Sequence, residues 1–138
     1  MPQRWAGGGI NLAERAAQIH SALPEETQNY MTTAVLRAMD QGGTEQIIAA
    51  TSENTFRTSW VGALNEGEIG VAGPFHAEMN AVGAARALGS EPLEVAASRP
   101  ICAGCQLGLN AEAVNVSAAL KSYPGVGWFA DEVMGEGG

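Results

Sequence analysis

The stretch HAEMNAVGAARALGSEPLEVAASRPICAGC, residues 76–105, decides the architecture. His76 to Leu88 is alanine-rich and reads as a helix, and Gly89 directly after it supplies a stop signal. Leu93 to Ala97 is a short apolar run, read as a strand, that passes into Ser98-Arg99-Pro100. From Cys102 to about Glu112 the pattern turns helical again. Helix, strand and helix in such short succession describe a sheet layered against helices.

Toward the N-terminus, Asn11 is a candidate N-cap for LAERAAQIHSAL, in which Leu12, Ala16, Ile19, His20 and Leu23 share one face before Pro24 ends the helix. TTAVLRAM (Thr32 to Met39) and EQIIAATS (Glu45 to Ser52) are rich in strand formers, and Asp40-Gln41-Gly42-Gly43-Thr44 joins them as an antiparallel hairpin. Glu53 to Phe75 has no clear period, carries Gly62, Gly67, Gly70 and Gly73, and reads as a long loop with one short helical turn. Loops of that length in small domains are often functional. Val114 to Leu120 and Val126 to Phe129 read as one or two further strands. The Gly-Gly-Gly run within Met1 to Gly9 marks a flexible lead-in, and Asp131 to Gly138 an acidic, glycine-rich tail. The sum is an α/β fold without internal repeats.

With 138 residues and 46% hydrophobic content, residues 1–138 are expected to form one domain that buries roughly two thirds of its unfolded surface. No run of about 18 apolar residues occurs, and the N-terminus lacks the basic and apolar regions of a signal peptide. The expectation is therefore a cytoplasmic protein that makes no use of a membrane. A net charge of −8, with seven Arg and Lys scattered in sequence, counts against a protein that grips nucleic acid mainly by neutralising phosphates.

Cys102 and Cys105 are too few for a disulfide framework, and a CxxC pair in a reduced compartment is usually redox-active or metal-binding. A third residue decides between these. His76-Ala77-Glu78 opens one predicted helix and Cys102-Ala103-Gly104-Cys105 opens the next, a pairing that matches the signature of zinc deaminases. Helix starts favour thiolates through their free N–H groups and positive dipole end. His76, Cys102 and Cys105 would hold one Zn²⁺, leaving the fourth tetrahedral position for a water whose pKa falls toward about 7. Glu78 is then placed to move protons, a contribution of about 10²- to 10⁴-fold. The other histidine, His20, lies on an apolar helix face and is read as a core residue, so a closed four-ligand structural site is disfavoured.

These residues resemble the cytidine deaminase-like superfamily, and more narrowly the deaminase domains at the C-terminal ends of bacterial polymorphic toxins. The narrower likeness rests on HAEMNAV, on Ser98-Arg99-Pro100-Ile101-Cys102-Ala103-Gly104-Cys105, and more loosely on LAERAAQIHSAL and TTAVLRA, spanning about Leu12 to Leu120. It implies a three-layer α/β/α fold, a mixed sheet of about five strands with helices on both faces. It also implies a pocket lined by Ser98, Arg99 and Pro100, with Asn29 to Thr33 (Asn29 and Thr33 at its ends) and part of Glu53 to Phe75 shaping the wall. Ile101 separates Pro100 from Cys102, whereas the superfamily usually has proline directly before the first cysteine; the metal pattern is intact and the pocket rim altered. Such toxin domains are often basic, and this chain is acidic.

Trp60 and Trp128 are candidates for stacking on a base, against core packing as the alternative, and Arg57 and Arg99 are candidates for phosphate contact, against plain solvation. The resemblance implies deamination of cytosine to uracil in DNA, with single strands preferred because a small pocket needs an unstacked base. An immunity protein would be the partner, and delivery into a target cell as the C-terminal part of a larger secreted toxin the route. A free cytidine or nucleobase deaminase, and a zinc-stabilised binding module without turnover, are the alternatives.

Overall fold

The computed structural model describes residues 11–98 and 114–116. The lead-in, the helix expected from Cys102, the strand expected at Val126 to Phe129 and the acidic tail lie outside these residues. The elements run α1 (Leu12–His20), α2 (Glu25–Gln28), β1 (Thr33–Met39), β2 (Glu45–Thr51), α3 (Thr58–Gly62), β3 (Ile69–Val71), α4 (Ala77–Ala87), β4 (Glu91–Ala97) and β5 (Asn115–Val116).

The hairpin forms as expected. β1 pairs antiparallel with β2 from Thr33 opposite Thr51 to Met39 opposite Glu45. Asp40 organises the turn: its Oδ1 accepts from the N–H groups of Gly42 (2.9 Å) and Thr44 (2.8 Å). β1 also pairs antiparallel with β4, while β3 lies parallel to β2 and β5 parallel to β4. The sheet order is β3-β2-β1-β4-β5, with four strands of three to seven residues and the two-residue β5 at one edge. Four strands thus run one way and β1 the other. The C-terminal ends of β2, β3 and β4 gather at one end of the sheet with the N-terminal end of β1.

Strand alternation splits the core between two faces. Val35, Ala49 and Ala96 meet α1 through Leu12, Ala16 and Ile19, joined by Leu23, Met31 and Trp60. Ala34, Leu36, Ala38, Ile48, Ala50, Val95 and Ala97 meet α4 through Ala77, Ala81, Val82 and Ala85. Helices therefore cover both faces of a mixed sheet, as expected.

Two boundaries differ from the sequence reading by more than one residue, and two elements are added to it. α1 stops at His20, well before Pro24, because Ser21 turns the chain, its Oγ donating to the Gln18 carbonyl (2.7 Å). Glu25–Gln28 then forms a separate turn of helix, with both glutamates at its positive end. β3 occupies part of the stretch read as loop; Ile69-Gly70-Val71 is too short to show alternation, and its parallel pairing comes from distant β2. β4 starts at Glu91 rather than Leu93. Pro92 hides the start, and the β1–β4 register shifts beside it, between Arg37 and Ala38, as expected where a residue cannot donate to the ladder. Gly89 adopts φ +78°, the left-handed conformation that ends α4. Among the described residues no helix is long and apolar enough to cross a membrane.

Candidate functional site

His76 is the N-cap of α4, with extended backbone (φ −61°, ψ 153°) and no side-chain hydrogen bond capping its own helix. Its residue is exposed, whereas Glu78, in the first turn, is 3% exposed. Ala77, Ala81 and Ala85 are fully buried, so α4 approaches the sheet on small side chains and its first turn abuts the strand ends. The helix N-terminus favours negative charge beside it, which suits the Glu78 carboxylate and anionic ligand atoms.

The approach to His76 is clamped by Asn80, a buried residue that the sequence reading did not single out. Its Nδ2 donates to the carbonyls of Thr51 (2.9 Å) and Phe75 (2.9 Å), and its Oδ1 accepts from Phe75 N–H (3.1 Å). Gly73 N–H donates to the Glu53 carbonyl (2.9 Å), and a Cβ at Gly73 would stand 2.6 Å from Asn80 Oδ1. The one sequence clue is a polar residue adjoining the alanine face of α4.

Ser98 closes the same end of the sheet. Its Oγ accepts from Thr33 N–H (3.0 Å), and its own N–H donates to the Thr33 carbonyl (2.7 Å). Thr33 itself is a correction. Its side chain is buried on the α1 face, where Oγ1 accepts from Trp60 Nε1–H (2.9 Å) and lies 3.0 Å from His20 Nδ1. His20 Nε2 is 2.9 Å from the Gln28 carbonyl, which can only accept, so Nε2 carries a proton, and in the neutral ring Nδ1 accepts from the threonine hydroxyl. Thr33 thus belongs to a core network rather than to a pocket wall. Trp60 is the second correction: it is 0% exposed, and its indole packs under the sheet with no face available for a base. His20 is a core residue, as read.

Exposed aromatic rings are supplied instead by Tyr30, Phe56 and Phe75. Asn29, the C-cap of α2, is also exposed and adjoins Tyr30. Tyr30 Oη accepts from Arg57 (3.0 Å), whose guanidinium also donates twice to the Glu53 carboxylate (2.9 and 3.1 Å). The hydrogen bonds to Glu53 hold the Arg57 pKa above its ordinary value. Arg15 and Arg37 are likewise ion-paired, to Glu68 and to Glu94 and Glu45.

Arg99, Pro100, Cys102, Cys105 and Trp128 lie outside the described residues, so His76 is the described member of the expected zinc set. Among the described residues no group of three His, Cys, Asp or Glu side chains is arranged to hold a metal. A groove of about 350 Å³ lies at the far end of the sheet, lined by Glu45, Gln46, Glu66, Glu68 and their neighbours, away from His76 and Glu78. No family model, curated protein or solved structure matches this chain.

Proposed function

We propose that this protein is a zinc-dependent hydrolytic deaminase that converts cytosine to uracil in DNA, with single strands preferred. The observation that carries the reading is His76 and Glu78 at the start of α4, at the sheet end from which β4 leads the chain to Cys102 and Cys105. Cys102 follows Ser98 by four residues, and four extended residues reach at most about 14 Å. Ser98 pairs with Thr33, Thr33 pairs with Thr51, and Thr51 accepts from Asn80 on α4. That reach keeps Cys102 within about 14 Å of a strand end linked through Thr33 and Thr51 to α4, which supports the reading. An imidazole and two thiolates are a donor set that suits zinc.

When bound, zinc would supply Lewis acidity that lowers the pKa of a water toward about 7. In the proposed reaction Glu78 takes one proton from the attacking water as the water oxygen bonds to C4 of the ring. Glu78 delivers that proton to N3, then takes the second proton from the new C4 hydroxyl and gives it to the amino group as the C4–N4 bond breaks, so ammonia leaves and a C4 carbonyl remains. Glu78 is 3% exposed, which shields its carboxylate from bulk water. The base must leave its stack to reach the site, which favours single strands.

A deaminase of free cytidine is the second reading, favoured by the −8 net charge and by the pairing of Arg15, Arg37 and Arg57 with glutamates. A role as the delivered part of a larger toxin, matched by an immunity protein, belongs to the first reading. Zinc-loaded protein and its Glu78→Ala variant, incubated with single-stranded DNA, double-stranded DNA, RNA and free cytidine and scored by mass spectrometry, test both. We expect uracil in single-stranded DNA, a fall of about 10²- to 10⁴-fold in Glu78→Ala, and zinc retained in the variant. Turnover of free cytidine alone moves the protein to nucleoside chemistry. Silence of zinc-loaded protein on every substrate leaves a binding module.

A further inference from the structure

We infer that Asn80 is the positioning residue for His76, setting the direction from which the imidazole meets a metal; the inference rests on the zinc reading above. A mid-helix asparagine buried against a sheet is costly unless its carboxamide is bonded, and here three bonds engage it. Their destinations are specific. The Phe75 carbonyl belongs to the peptide plane on the N-terminal side of His76, and Asn80 Nδ2 holds it at 2.9 Å. The His76 carbonyl belongs to the plane on the other side, and Asn80 N–H holds it at 2.9 Å. The two planes flanking the His76 Cα are therefore held by one residue, which constrains φ, ψ and the direction of the Cα–Cβ bond. The remaining bond, to the Thr51 carbonyl, references that direction to the end of β2.

Gly73 completes the device. Its missing Cβ leaves the space that Asn80 Oδ1 occupies, since a methyl there would stand 2.6 Å from that oxygen. An alanine at position 73 would displace the carboxamide without altering its chemistry. An aspartate at position 80 would keep the shape while replacing both Nδ2–H donors by an acceptor facing two carbonyls.

The test measures zinc affinity of the 138-residue chain by competition with a chromophoric chelator, for wild type, Asn80→Asp, Gly73→Ala and Ile48→Val. Ile48 is a fully buried core residue whose aliphatic side chain makes no hydrogen bond, so its variant lowers the stability of the α4 packing while leaving the clamp's bonds in place. The melting temperature of each chelated protein reports that loss. Asn80→Asp is expected to bind zinc about 10- to 100-fold more weakly, Gly73→Ala less so in the same direction, and Ile48→Val like wild type. The Co²⁺ spectrum of Asn80→Asp should shift in ligand-field bands. Should Asn80→Asp not fold, Gly73→Ala alone decides. Wild-type affinity in the folded clamp variants, or an equal loss in Ile48→Val, overturns the inference and leaves the deaminase reading standing. A wild-type chain that binds no zinc overturns both.

Discussion

The two faces of the sheet are built on opposite principles. On the α1 face the core is bulky and cross-linked by polar groups: Leu12, Ile19, Met31 and Trp60 fill it, and Trp60, Thr33 and His20 are chained by hydrogen bonds. Arg15 extends this stapling to the Glu68 carboxylate (2.8 Å) and the Ala63 carbonyl (2.7 Å). On the α4 face alanines predominate on both helix and sheet, and of the two polar residues buried on α4, Glu78 and Asn80, the asparagine bonds to the helix start rather than the core. Large residues with polar staples make one face a foundation. Small residues on the other let a helix lie close enough to present His76 and Glu78 at the strand ends.

Trp60→Ala is the largest expected effect, about 3–5 kcal/mol lost in chemical denaturation, because it opens a cavity and strips Thr33 of its donor. Ala81→Leu is expected to cost about 1–3 kcal/mol by overpacking, since Ala81 is 0% exposed between α4 and the sheet. The deaminase activity proposed above should fall further than that stability loss explains. If Ala81→Leu is tolerated while Trp60→Ala is mild, the contrast between foundation and presenting face is wrong.

Glu68→Gln is the smallest, about 1 kcal/mol near neutral pH after allowance for solvent screening. Burial raises the Glu68 pKa, but the hydrogen bonds from Arg15 and from Asn65 N–H, with the Arg15 charge, outweigh it and hold the carboxyl below its ordinary value. A lowered folded pKa stabilises above the unfolded value of about 4.3 and loses that contribution as pH falls through the folded value. Denaturation curves of wild type and Glu68→Gln should therefore differ at pH 7 and converge in acid. A difference independent of pH would remove the ion pair from the foundation.

Elements with local signals were legible in advance. Asn11 does cap α1, its Oδ1 accepting from Glu14 N–H (3.0 Å), and the turn from Asp40 to Thr44 does join two strands. The same locality made His76 and Glu78 conspicuous, since a helix start can be read from neighbouring residues. An indole or a hydroxyl looks alike in sequence whether it faces ligand or core, and the bond that joins Trp60 to Thr33 in the core spans 27 residues. β3 escaped notice for the same reason.

By itself the sequence determined the alternation of helices and strands, the hairpin, and the presence of a His-x-Glu pair at a helix start, all products of short-range periodicity and capping. Only the tertiary structure decided that α1 and α4 take opposite faces, that Trp60 is core, and that Asn80 holds the peptide planes around His76. Burial and hydrogen bonding across the sheet join residues far apart in the chain, and no local pattern carries that information.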